Sequence, residues 1–275
     1  MSTMRSPAVA GMFYEADPTK LARNVARLMD NAEVRKIQGS LRGLVVPHAG
    51  YLYSGSTAAM GYRLLKGKKY DVVVIVAPSH REYFEGASVY PGDGYRTPMG
   101  DVAIDRELRD ELVAGSQVLV AAEEGHRTEH SVEVQLPFLQ SVFQKFSFVP
   151  VVMGNQTRAS CEFLAADLVR VLRGRNALLI ASSDLSHYHP YETAHALDRI
   201  IVSDIEAFDE ESLLKNLEGE RAEACGGGPM VAVMKALKAL GANRAQTLYH
   251  CNSGDITGEK DAVVGYLSAA FTQMN

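Results

Sequence analysis

Two histidines in this chain follow prolines at the ends of apolar runs. Gly43-Leu44-Val45-Val46-Pro47-His48 and Val72-Val73-Val74-Ile75-Val76-Ala77-Pro78-Ser79-His80 share one plan: β-branched residues, a proline, then an imidazole. Neutral imidazole is the commonest metal ligand among side chains, so two brought to one place would begin a metal site. A single histidine of this kind is as well explained by hydrogen bonds to loop backbone. The repetition at equivalent positions is what favours a shared site. A third apolar run, Ala177-Leu178-Leu179-Ile180-Ala181, ends in Ser182-Ser183-Asp184-Leu185-Ser186-His187. Asp184 near His187 has the composition of a general base and the carboxylate that orients it, although Asp184 could equally cap the turn. Cys225 precedes Gly226-Gly227-Gly228-Pro229, which opens a helix. A thiol at a helix N-terminus ionises more easily; the competing reading is a structural cysteine before a flexible turn. Cys161, on a helix pattern beside Phe163 and Leu164, and Cys251, at a strand end, read as structural.

His126-Arg127-Thr128-Glu129-His130 fits H-x-x-E-H, the inverted zinc-peptidase signature. That chemistry needs both histidines on one face of a helix with the glutamate free to activate water. Gly125 directly before the motif and Pro137 soon after it argue against such a helix, and the zinc peptidase is the outsider among the readings. His130 can still serve the main site from a loop.

The elements that must position these residues follow from the pattern. Apolar β-branched runs are strands buried on both faces, as in parallel sheets. Proline ends each strand, so each histidine lies just past a carboxyl end, the edge where open α/β sheets bind ligands. Ser56 to Leu65 reads as a helix, and strand–helix–strand makes the two Pro-His strands parallel and close neighbours. Asp17 caps a helix begun by Pro18, with Leu21, Val25 and Leu28 inward. Helices are also expected over Asp105–Ala114, Thr157–Leu172, Tyr191–Phe208, Glu211–Leu217 and from Pro229. Ser131–Phe143 should be a helical stretch interrupted at Pro137. Strands are expected at Ala87–Tyr90, Gln117–Ala121, Phe146–Met153, Thr247–Cys251 and Ala262–Phe271. Gly92–Gly100 reads as a long surface loop beside the site. Alternating strands and helices give an α/β fold of three layers around a central, mostly parallel sheet.

With 275 residues, 47% apolar, and no Pro/Ser-rich linker, residues 1–275 read as one domain. A net charge of -5 without a basic stripe excludes nucleic acid and leaves a small molecule or peptide as the ligand. No run reaches transmembrane length and no apolar leader opens the chain, so neither a membrane nor export is expected. Three scattered cysteines suggest no disulfide framework and point to a reducing, cytoplasmic setting.

Taken in order, Arg5-Ser6-Pro7-Ala8-Val9-Ala10-Gly11-Met12-Phe13-Tyr14, Pro47-His48-Ala49-Gly50-Tyr51-Leu52-Tyr53-Ser54-Gly55, Ala77-Pro78-Ser79-His80, Glu129-His130-Ser131-Val132-Glu133-Val134-Gln135-Leu136-Pro137, Ser182-Ser183-Asp184-Leu185-Ser186-His187 and Cys225-Gly226-Gly227-Gly228-Pro229 resemble the MEMO family. Bacterial and archaeal members are also called AmmeMemoRadiSam system protein B. The resemblance spans essentially the whole chain. It implies a MEMO-like domain with a fold similar to class III extradiol dioxygenases, which are non-haem iron enzymes. By motif, His48 and His80 match the two metal-binding histidines and Cys225 the third metal-contacting position. His187 matches the acid/base histidine, with Asp184 close by, and His130 a further active-site histidine.

In the ring-cleaving enzymes the third ligand is a carboxylate, which suits iron(II); the thiolate offered here also admits copper(I) or zinc and is itself oxidisable. The expectation is therefore a redox-active, dioxygenase-like metal protein acting on a small substrate, with iron(II) favoured and copper or zinc as alternatives. The alternative, drawn from signalling members of the family, is a binding module that recognises a phosphotyrosine peptide through the same pocket.

Overall fold

Val72 to Ala77 is buried without a break, and its residues divide between two cores: Val72, Val74 and Val76 face one, Val73, Ile75 and Ala77 the other. That alternation is what a strand covered by helices on both faces requires. The structure is a computed structural model that describes residues 3–33 and 35–274.

In chain order the N-terminal half contains β1 (Met4–Arg5), α1 (Pro18–Asn31), β2 (Ser40–Val46), α2 (Tyr51–Arg63), β3 (Val72–Pro78), β4 (Ala87–Val89), β5 (Gly94–Thr97), β6 (Gly100–Ala103), α3 (Arg106–Val113) and β7 (Leu119–Ala121). A 3-10 turn, Glu133–Gln135, runs into α4 (Leu136–Val142), which carries Pro137 in its first turn. Then come β8 (Phe148–Met153), α5 (Arg158–Leu172), β9 (Ala177–Ser182), β10 (His187–His189), α6 (Tyr191–Glu206), α7 (Glu210–Glu218), α8 (Gly227–Ala239), β11 (Arg244–Asn252), α9 (Ser253–Thr257) and β12 (Val263–Gln273). Asp17, Asp105 and Thr157 cap α1, α3 and α5 by accepting from Lys20 N, Leu108 N and Ser160 N.

Among the described residues, nine strands form the main sheet in the order β10-β12-β2-β9-β3-β8-β4-β7, with β11 on β12. The central four, β2, β9, β3 and β8, are parallel, while β12 and β4 flank them antiparallel. Leu164, Leu168, Val233, Leu237, Ile201 and Leu213 from α5–α8 cover one face, and Val25, Tyr62 and Phe138 from α1, α2 and α4 the other. The three-layer α/β architecture is therefore as expected. Among the described residues no helix is long and apolar enough to cross a membrane.

Two expectations change. The Pro-His strands β2 and β3 are not adjacent, because β9 pairs with both and sits between them. The chain reaches that central slot only through α5, a long-range crossover that local pattern does not reveal. Gly92–Gly100 is also not a plain loop. β5 within it pairs with β1 and β6 as a small three-stranded sheet, and Tyr95 is buried. Its glycines are there for close approach: a Cβ on Gly94 would lie 2.3 Å from the Val102 carbonyl oxygen.

Candidate metal centre

β2, β9 and β3 end side by side, so the residues just beyond them share one edge of the sheet. Pro47 and Ser79 separate His48 and His80 from their strands by a single residue. Cys225 arrives from across the sheet, one residue before the glycine that caps α8. Ligand atoms of His48, His80 and Cys225 all lie within 4.8 Å of one another. His48 is buried and Cys225 partly so, while His80 is open to the cavity above.

Hydrogen bonds decide which imidazole nitrogens are free. The Ser182 hydroxyl has one proton, which it donates to Ser131 O at 2.7 Å. It accepts from Gln135 Nε2 at 2.8 Å, and Gln135 is itself fixed because that nitrogen also donates to Pro47 O at 3.0 Å. The 2.8 Å contact between His48 Nδ1 and Ser182 Oγ is then a donation by the imidazole. This leaves the lone pair on Nε2, where Cys225 Sγ stands 3.1 Å away. At His80 the same result comes from a carboxylate: Nδ1 donates to Glu129 Oε1 at 3.0 Å, freeing Nε2. Carboxylate–histidine pairs of this kind orient ligands and raise their basicity. Two imidazole nitrogens and a sulfur, gathered within 4.8 Å of one another with both imidazoles oriented by hydrogen bonds, fit a soft or borderline divalent ion. His80, Glu129 and His130 form a second close group. Glu129 already accepts from His130 N at 2.8 Å, Ser131 N at 3.0 Å and His80, so it serves better as an anchor than as a ligand.

The electrostatics keep His48 and His130 neutral. Burial, followed by the His80 and His130 imidazoles, holds His48 well below its ordinary pKa. Burial also lowers His130 to about 4, against the pull of Glu129. Burial pushes the Cys225 thiol up, and the nearby Asp184 carboxylate adds to this. That reverses the expectation of an easily ionised helix-terminal thiol: burial outweighs the helix end, and a bound cation would be what displaces the proton.

The structure brings Asp184, His187 and His130 to the same place. All three line a cavity of about 640 Å³ with His48, His80 and Tyr188. Their hydrogen bonds differ from the expected pairing of Asp184 with His187. Asp184 Oδ1 accepts from His48 N at 2.8 Å, pinning the loop that carries the ligand; burial raises its carboxyl to about 6. The carboxylate on His187 is Glu223, accepting from His187 N at 3.2 Å and lying 4.0 Å from Nδ1. His130 meets His48 and His80 ring to ring at centroid distances of 5.5 and 4.9 Å and packs its edge on Phe13.

The family model for Memo-like proteins matches residues 5–270. The chain is 39% identical to the MEMO1 family protein SSO0066 of Saccharolobus solfataricus, over 97% of this chain and 99% of that one. It is 41% identical to a MEMO1 family protein of Methanosarcina mazei, over 96% and 97% of the two chains. The chain belongs to the MEMO1 family. A solved structure of an uncharacterized protein, JW3007 from Escherichia coli K12, shares the fold with a TM-score of 0.57 at 15% identity, covering 84% of this chain and 99% of that one.

In this MEMO1 family member the H-x-x-E-H pentapeptide does not form a zinc-peptidase helix. Residues 126–130 are turn, bend and irregular chain. His126 is fully buried, with Nδ1 2.6 Å from the Tyr95 hydroxyl, away from the His130 site. The residues missed by sequence reasoning are the anchors: Ser182, Gln135, Glu129, Glu133 and Glu223. Glu133 accepts from Ala8 N, Val9 N and the Tyr14 hydroxyl and pairs with buried Arg5. It thereby fixes the irregular segment from Arg5 to Tyr14 that delivers Phe13 to the cavity. Arg5 also donates to the carbonyls of His126 and Glu129, so one guanidinium ties three stretches of chain together.

Proposed function

We propose that this chain is a metal-dependent, redox-active protein that acts on a small substrate, with His48, His80 and Cys225 holding iron(II). The observation that carries this reading is the close group of two imidazoles and a thiol, its nitrogens freed by Ser182 and Glu129, at the base of a 640 Å³ cavity. Bound there, iron would supply Lewis acidity and one-electron chemistry, and the sulfur leaves copper(I) or zinc as alternatives. The chain's own residues do the rest. Asp184 keeps His48 in place through the amide of its loop, and His187 and His130 line the cavity as imidazoles able to take or return a substrate proton, burial keeping His130 neutral.

The test is anaerobic reconstitution with iron(II). About one ion per chain should bind, with a thiolate-to-metal absorption band, and both His48→Ala and Cys225→Ser should abolish it. Protein that stays metal-free under those conditions would overturn the reading. A second reading, a peptide-binding module, draws on Met12 and Tyr188, which are 72% and 75% exposed at the cavity rim. Tight phosphopeptide binding that survives metal removal would favour it.

A further inference from the structure

The cavity above the metal group carries a signature of what enters it. We infer that its ligand is a small monocarboxylate with a planar apolar body, the carboxylate being held by Arg81. This inference rests on the reading of the cavity as the substrate pocket of the His48/His80/Cys225 group.

Arg81 follows the candidate ligand His80 directly, so the backbone carries the two side chains into the same cavity. It is exposed and lines the cavity, and among the described residues it makes no hydrogen bond or ion pair. Its neighbour Glu82, by contrast, is engaged by Arg127 and by the Gly125 amide. Arg81 shares the cavity wall with His48, His80, His130 and His187, so it faces the same space as the candidate site. Among the lining residues Arg81 is the only guanidinium or ammonium, and it stands against two carboxylates, Asp184 and Glu259. That balance selects the charge of the ligand. One free guanidinium matches the planar fork of one carboxylate. Among the lining side chains, a phosphate dianion would find one cation set against two carboxylates.

The body of the ligand is set by the remaining wall, where Phe13, Tyr53, Tyr188, Tyr266 and Val264 offer ring faces and methyl groups. Tyr188 is held there against its backbone preference. Its φ is 60°, in the left-handed region, and the histidines on both sides of it are tied to Glu223, by the His187 amide at 3.2 Å and His189 Nε2 at 2.7 Å. A non-glycine residue fixed in that region, 75% exposed at a cavity rim, fits a surface that waits for a planar group.

The experiment uses zinc-loaded full-length protein, which cannot turn over by redox chemistry, and three probes of similar body: benzoate, benzamide and phenyl phosphate. Calorimetric titration should show benzoate binding about tenfold or more tighter than benzamide, with phenyl phosphate weaker than benzoate. Arg81→Gln should erase the benzoate preference and Arg81→Lys should keep part of it, with zinc content unchanged in both. Equal affinity for benzoate and benzamide would overturn the inference, as would phenyl phosphate as the tightest probe or no binding of any probe. A benzoate preference that persists in Arg81→Gln would also overturn it, by placing the carboxylate on the metal. The same titration in metal-free protein separates the two readings. Failure to take up zinc refutes the metal centre, while an Arg81-dependent preference for benzoate there still upholds the anion site and its absence refutes it.

Discussion

Glu129 accepts a hydrogen bond from His80 Nδ1 at 3.0 Å while the amides of His80, His130 and Ser131 all point at the same buried carboxylate. Burial favours the neutral acid, yet the His80 hydrogen bond and the His80 and His130 imidazoles outweigh it and hold the group well below the ordinary carboxylate range. Glu129 is thus a fixed anion that turns one face of His80 toward itself and leaves the other for a metal. Ser182 does the same for His48 with a neutral hydroxyl, so the two candidate histidine ligands are oriented by different chemistry.

Replacing Glu129 with Gln keeps the volume and removes the charge. The amide can still accept one hydrogen bond but no longer holds the whole set, and His80 loses its anionic partner. Metal affinity should fall about 10–100-fold, read by competition with a chelator of known affinity. Unchanged affinity would show that His80 needs no carboxylate to present Nε2.

The candidate metal group was legible because its signals are local: an apolar run, a proline and a histidine, or a cysteine before a glycine-rich helix start. The anchors were not. Glu129 stands in a pentapeptide that Gly125 and Pro137 already mark as a loop, but only its distant contacts, Arg5 to its carbonyl and His80 to its carboxylate, reveal it as an anchor. The order of the sheet was hidden for the same reason. β2, α2 and β3 follow one another in sequence, and nothing near them tells that Ala177–Ser182 will come between. Likewise Gly92–Gly100 has loop composition, and its strand character comes from pairing with Met4 and Arg5, some ninety residues away.

Acid should weaken the fold through His126. Burial, with the Arg5 charge acting in the same direction, lowers its pKa from 6.5 to about 3 in the folded state. Between those values the unfolded chain binds the extra proton, so stability falls as pH drops through that window and is untouched above it. The contribution is roughly 1.4 kcal/mol per pH unit below the unfolded value. Urea midpoints at pH 7 and pH 5 should therefore differ more for the wild type than for His126→Gln, which has no proton to gain. Parallel shifts in the two proteins would remove His126 as the cause.

Gly226 controls how closely the segment carrying Cys225 approaches the end of β9. Its amide donates to Ser183 Oγ at 2.9 Å, and a Cβ built on it would lie 2.4 Å from Ser182 O and 2.7 Å from Ser183 Cβ. The first contact is backbone of the residue whose hydroxyl orients His48, so it cannot yield without disturbing that ligand. Gly226→Ala should move the loop outward, at a cost of about 1–3 kcal/mol in stability by urea unfolding. Its sharper effect should be on the metal site. Cobalt(II) added to the variant should give a thiolate charge-transfer band much weaker than the wild type's, because sulfur is displaced while both imidazoles stay on their strands. A band of wild-type intensity would mean that the methyl is accommodated elsewhere and that the close approach of Gly226 to β9 does not place Cys225.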